Sequence, residues 1–187
     1  MKLAAIGLTF VAVTACSGGM EEPEGHRERP DETTRSQLGP LGGPIAVEKR
    51  QTEIVGPGTQ FECTPIRVWD GDGPIWCAEG MRVRLAGISA REIDESCRDD
   101  HPCPALGGVE ARDVLVGLVG KPIGTSSQGH ILVEGEPLSC YSEGSALGKR
   151  TSAWCVSSTY GDLSCEMISR KAALRWDKYW GEHSCDS

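Results

Sequence analysis

Asp70 and Asp72 stand one glycine apart in the segment Val68-Trp69-Asp70-Gly71-Asp72-Gly73. Two carboxylates held that close can bind a hard cation such as Ca2+ through oxygen. The same Asp-Gly-Asp-Gly run also makes a tight turn that requires no function. In Val83 to Glu92, strand alternation puts Val83, Leu85 and Gly87 on one face and Arg84, Ala86 and Ile88 on the other. Arg84 then points out of the core, as an ordinary surface charge or as a planar fork aimed at phosphate oxygens. Glu92, just past the strand, is either a solvated carboxylate or a general base. Gly148-Lys149-Arg150 brings a basic pair into a strand after a glycine-rich turn. On its own that pattern needs nothing beyond solvated hairpin charges.

Residue patterns name the elements that must hold these groups. Phe61 to Trp69 and Pro74 to Ala78 read as strands around the turn at Asp70, and Met81 to Ile88 reads as a third. Ala105 to Val119 places Val109, Val114, Leu115, Leu118 and Val119 at helical spacing, with Lys121-Pro122 stopping the helix. His130 to Val133, Leu138 to Tyr141 and Thr151 to Ser157 are short strands. Asp162 to about Ala173 is a second helix with Asp162 as its N-cap. The expected class is mostly β with helices (α+β), a small Greek-key barrel with helical additions. Trp69, Trp76 and Trp154 read as packing residues within strands, and Trp176, Tyr179 and Trp180 as a late aromatic cluster.

The nine cysteines carry a second layer of information. Met1-Lys2, the apolar run Leu3 to Val13 and the small residues before Cys16 resemble a bacterial lipoprotein signal. Residues 1–15 are then the signal peptide, and 16–56 a flexible tether with Cys16 lipidated. Residues 57–187 form the folded domain. A plain secretory signal is the alternative, and both export the chain. The expected location is the envelope, at its periplasmic side or outer membrane, with membrane contact through the lipid alone. Eight cysteines remain for pairing in an oxidising space. Cys63 and Cys77 are equidistant from Asp70, and Cys140 and Cys155 are equidistant from the point between Leu147 and Gly148, so each pair could face across a hairpin. Cys97 and Cys103 would close a short loop, which leaves Cys165 with Cys185. Other connectivities are open to eight cysteines, and zinc at Cys97, His101 and Cys103 is a competing use of that loop.

Charge and length exclude other classes. With 187 residues the chain is too short for a large barrel enzyme, which takes about 250. Its 19 Lys and Arg against 27 Asp and Glu give −8. From Phe61 onward 13 basic residues face 19 acidic ones, a net charge of −6. Non-specific grip on nucleic acid needs the opposite balance, so any phosphate chemistry must be local.

Five segments in order resemble the staphylococcal nuclease (thermonuclease) family over about residues 61 to 180. They are Asp70-Gly71-Asp72, Arg84 to Glu92, the helix Val109 to Val119, Gly148-Lys149-Arg150, and Asp162-Leu163-Ser164-Cys165-Glu166-Met167. The resemblance implies a five-stranded oligonucleotide-binding (OB-fold) Greek-key barrel and Ca2+-dependent endonucleolytic hydrolysis of DNA or RNA phosphodiesters by a monomer. It implies Asp72 as a Ca2+ ligand with Asp70 beside it, and Ala90 through its backbone carbonyl. Arg84 and Arg150 would bind the phosphoryl group, and Glu92 would activate water. Ser89 stands where the family has a second metal-binding Asp, which implies weaker Ca2+ binding. Gly148 stands where many relatives have a Tyr able to stack on a base. The alternative to a nuclease is a catalytically inactive binding module on the same barrel.

Overall fold

Short apolar runs broken by Gly and Pro leave little room for long strands, and the chain folds accordingly. The structure is a computed structural model that describes residues 53–185. The expected signal peptide, Cys16 and nearly all of the expected tether lie outside those residues. In chain order come β1 (Gln60–Cys63), β2 (Pro65–Val68), β3 (Ile75–Cys77), β4 (Arg82–Leu85), β5 (Ile88–Ser89), α1 (Gly108–Val119), β6 (Lys121–Thr125) and β7 (Ile131–Glu134). They are followed by β8 (Leu138–Ala146), β9 (Arg150–Ser157), β10 (Gly161–Asp162), α2 (Leu163–Ser169), β11 (Leu174–Arg175) and α3 (Asp177–Trp180).

The protein is a mostly-β α+β fold around a mixed sheet. Its strand order is β1-β8-β9-β4-β3-β2-β7-β6, with β10 added on β9, and β5 pairs separately with β11. The β4–β9 ladder is parallel. Ladder by ladder the sheet is open, from β1 at one edge to β6 at the other. The expected count of five strands is therefore replaced by nine in this sheet among the described residues. One cause is the break of Phe61 to Trp69 into β1 and β2 at Thr64. Pro65 has no N–H to give to a ladder, and the β2–β3 register shifts between Pro65 and Arg67. Thr64 bonds instead to Glu79, its N–H and hydroxyl lying 3.0 and 2.7 Å from the carboxylate oxygens. β6 is the other addition: the chain turns after Gly120 straight into an exposed edge strand where the sequence showed only a helix stop.

Burial of Glu79 works against its charge, but the Thr64 hydroxyl and N–H outweigh it and hold this carboxyl below its ordinary value of 4.5. A depressed carboxylate stabilises the fold above its unfolded-state value, and that contribution disappears as pH falls through the lower folded value. Glu79→Gln is expected to lose only a few tenths of a kcal/mol at neutral pH, because the carboxylate is exposed and screened by solvent. Urea titrations should show the gap to the unmodified protein closing below about pH 4.

The core joins Val68, Ile75, Val83 and Leu85 of the sheet to Leu115, Leu118 and Val119 of α1 and Leu163 and Met167 of α2. In α1 the buried stripe includes Ala111, while Val109, expected on it, is exposed. Glu95 accepts a hydrogen bond from the Gly108 N–H at 3.1 Å, satisfying one of the free donors at the start of α1. Asp162 caps α2 as expected, accepting from the Cys165 N–H at 2.8 Å.

All four cysteine pairs form: Cys63–Cys77, Cys97–Cys103, Cys140–Cys155 and Cys165–Cys185. Cys140 and Cys155 are direct partners across the β8–β9 ladder. The Cys97–Cys103 bond leaves no thiolate pair for zinc. Four disulfides are consistent with an exported protein, and no helix among the described residues is long and apolar enough to cross a membrane. Contacts with the sheet begin at Val55, inside the expected tether: its N–H donates to Thr151 and its carbonyl accepts from Ser142.

Candidate functional site

A cavity of about 680 Å³ opens where the β2–β3 turn, β4, the loop after β5 and the β8–β9 hairpin meet. Asp70, Asp72, Arg84, Glu92 and Arg150 all line it. The turn is pressed against the helix side of the domain: a Cβ on Gly71 would lie 2.7 Å from the Ala111 Cβ and 2.8 Å from that of Ala90. Only glycine between the two aspartates lets the turn sit this close, so packing under α1 fixes where both carboxylates go.

Arg84 and Asp72 form an ion pair within the cavity wall. Arg84 also donates to the Ile88 carbonyl at 3.2 Å. Burial opposes the Arg84 charge, but the Asp72 carboxylate outweighs it and keeps the guanidinium above its ordinary value. The other Asp72 oxygen accepts the Ala90 N–H at 3.1 Å. Asp70, on the same cavity wall, is 7% exposed. Burial first, then the charges of Asp72 and Glu92, push its carboxyl from 3.8 up to about 8. Arg150 donates from Nε to the Leu147 carbonyl at 2.6 Å, and burial followed by repulsion from Arg84 lowers its affinity for a proton. No family model, curated protein or solved structure matches the chain.

The remaining sequence-derived candidates fall off the cavity wall. Ala90 meets Asp72 through its amide rather than its carbonyl. Ser89 is buried, with its hydroxyl 3.5 Å from the Ala90 carbonyl. The nearby carboxylates Asp94 and Glu95, which follow Glu92 in the chain, are engaged with Ser96 and with the Gly108 N–H. Asp70 and Asp72 are thus the oxygen donors in the turn that could hold a hard cation.

Arg98, Glu143 and Lys178 line the cavity without any signal in the sequence, and the late aromatic cluster contributes Trp176 and Tyr179. Arg98, in the Cys97–Cys103 loop, pairs with Glu92 at 2.7 Å. His101 packs on Trp176 at 4.1 Å, and Trp176 and Tyr179 line the wall, while Trp180 is buried. With Asp70 protonated at neutral pH, three carboxylates (Asp72, Glu92, Glu143) face four basic residues (Arg84, Arg98, Arg150, Lys178), so the wall is not acidic while the domain is. A phosphate meets far less repulsion here than over the rest of the surface. Asp162, Cys165 and His183 also come together, their ligand atoms within 4.8 Å of one another. The Cys165 sulfur is bonded to Cys185, so this group lacks a thiolate ligand.

Proposed function

We propose that the chain is an exported phosphodiesterase of the staphylococcal nuclease type that hydrolyses nucleic acid with Ca2+, anchored to the envelope through Cys16. The observation that carries this reading is the convergence of Asp70, Asp72, Arg84, Glu92 and Arg150 on one cavity. They come from four separate stretches of chain. The finer fold reading, an OB-fold barrel, is supported by the path of the sheet. β1 and β2 are separated by Thr64 alone, yet β1 pairs with β8 and β2 with β3, so one bent strand touches both ends of the run β8-β9-β4-β3.

The donor set suits Ca2+: the Asp70 and Asp72 carboxylates, one glycine apart, both line the cavity. When bound by Asp70 and Asp72, the cation supplies positive charge that polarises a phosphate. Arg84 and Arg150 bind the phosphoryl oxygens and offset the charge gained in the transition state. Glu92 accepts the proton of the attacking water once it leaves Arg98.

A second reading, a binding module without catalysis, is favoured by the contacts that already occupy the acidic groups. Both Asp72 oxygens are engaged and Glu92 is held by Arg98, and Ser89 offers no carboxylate. Incubating the purified chain with single-stranded DNA separates the two. Cleavage at millimolar Ca2+ that stops with chelator is the expected result. Oligonucleotide binding without cleavage, with cleavage gained in Ser89→Asp, would establish the second reading.

A further inference from the structure

Arg67, Trp76 and Arg82 form a row on the sheet. Arg67 is the direct partner of Trp76 in the β2–β3 ladder, and Trp76 is the partner of Arg82 in the β3–β4 ladder. Directly opposed residues share a face, and all three are half-buried. The Arg67 guanidinium lies over the Trp76 ring, 4.9 Å from its centroid. The His130 ring packs edge-on against the same indole at 4.4 Å. A guanidinium stacked on an aromatic face keeps its N–H groups in its own plane, free for an oxyanion.

The two arginines are short of partners. The Nε of each is buried without a hydrogen-bond acceptor, and neither takes part in an ion pair among the described residues. Acidic groups outnumber basic ones in this domain by 19 to 13, so an unpaired pair of arginines is not explained by a shortage of carboxylates. With no carboxylate among the described residues paired to either guanidinium, both charges are left for an anion from outside the fold. The row also leads somewhere. Arg82 and Arg84 are two residues apart on β4 and so point to the same face, about 7 Å apart along the strand, and Arg84 lies in the cavity wall.

We infer that Arg67 and Arg82, set around Trp76, are a second phosphate-binding site that takes the backbone of a single-stranded nucleic acid running outward from the cavity. This rests on the nucleic-acid reading above and narrows it to a polynucleotide rather than a mononucleotide or dinucleotide. Continuity with Arg84 selects nucleic acid over an acidic peptide or an anionic membrane, neither of which has reason to extend into the cavity.

The test is fluorescence anisotropy of the full chain with labelled oligothymidylates of about 4 and about 16 nucleotides, in chelator so that nothing is cleaved. Arg67→Gln/Arg82→Gln is expected to weaken binding of the longer strand about tenfold or more. The slope of log affinity against log salt should become shallower by about 1.4, the value for two lost phosphate contacts on a single strand. Binding of the shorter strand should be unchanged. Arg67→Lys/Arg82→Lys should retain the salt slope, and it decides the matter if the glutamine variant melts early. Unchanged affinity and slope for the longer strand would overturn the inference. So would failure of the unmodified chain to bind it, or a loss confined to anionic lipid vesicles or polyglutamate. Cleavage of the shorter strand with Ca2+ reads the cavity alone, so failure of the nuclease reading remains distinguishable.

Discussion

Replacing Arg84 by alanine is expected to lower Ca2+-dependent hydrolysis of single-stranded DNA about a thousandfold, the scale seen when one charged stabiliser of a phosphoryl or oxyanion transition state is removed. Two separate losses contribute. On the proposed mechanism the guanidinium no longer offsets developing charge on the phosphate, and buried Asp72 is left without its partner. The second loss alone costs stability, because an uncompensated buried carboxylate is poorly solvated. Arg84→Lys separates them: it restores a positive charge to Asp72, and with it most of the melting temperature. Hydrolysis stays low, since an ammonium cannot span two phosphate oxygens. Glu92→Gln should reduce the rate about a hundredfold or more with little change in melting temperature. Full activity in a folded Arg84→Ala protein would remove Arg84 from the site.

Gly108→Ala is expected to be the most damaging single methyl in the domain, at about 3 kcal/mol, the upper range for overpacking. A Cβ there would lie 1.9 Å from the Glu92 carbonyl oxygen and 3.0 Å from that of Arg91. Both obstacles are backbone, so no side-chain rotation relieves the clash. Either α1 or the loop carrying Glu92 must shift. Activity should therefore fall in the fraction that remains folded, and chemical denaturation beside kinetics would show both effects. Gly117→Ala is the control: it lies on the same helix with nothing within 4 Å of the added Cβ, and it should be neutral or slightly stabilising. Equal stability of the two variants would mean that α1 does not hold the Glu92 loop.

Local features were readable from the sequence because local chemistry decides them. The Asp70 turn sits between two strands, Asp162 caps its helix, and cysteines spaced evenly about a turn meet across a hairpin. Long-range features were not. Nothing in Lys121-Pro122-Ile123-Gly124-Thr125 shows that it will form an edge strand, since its partner β7 supplies the reason. At the split before Pro65, the Thr64 N–H and hydroxyl find their acceptor in Glu79, fifteen residues away. Arg98 looks like one more surface charge until the disulfide loop turns it onto Glu92. His183 shows no ligand spacing to another histidine, because its neighbours Asp162 and Cys165 reach it only through the tertiary fold. Arg84 lay in a legible strand and Arg150 at the entry to one, but the parallel pairing of β4 with β9 that brings them to one cavity has no signature in either segment.

The disulfides also bear on how the chain comes to be folded. From Cys63 onward the cysteines pair in chain order, first with second and third with fourth to the end, and no bridge encloses or interleaves another. If the chain is exported as proposed, emerging N-terminus first, it presents both halves of each bridge before either half of the next. The order of emergence selects one pairing out of the many open to eight thiols. Oxidation alone can then complete the set, with no wrong bridge to be reshuffled afterwards.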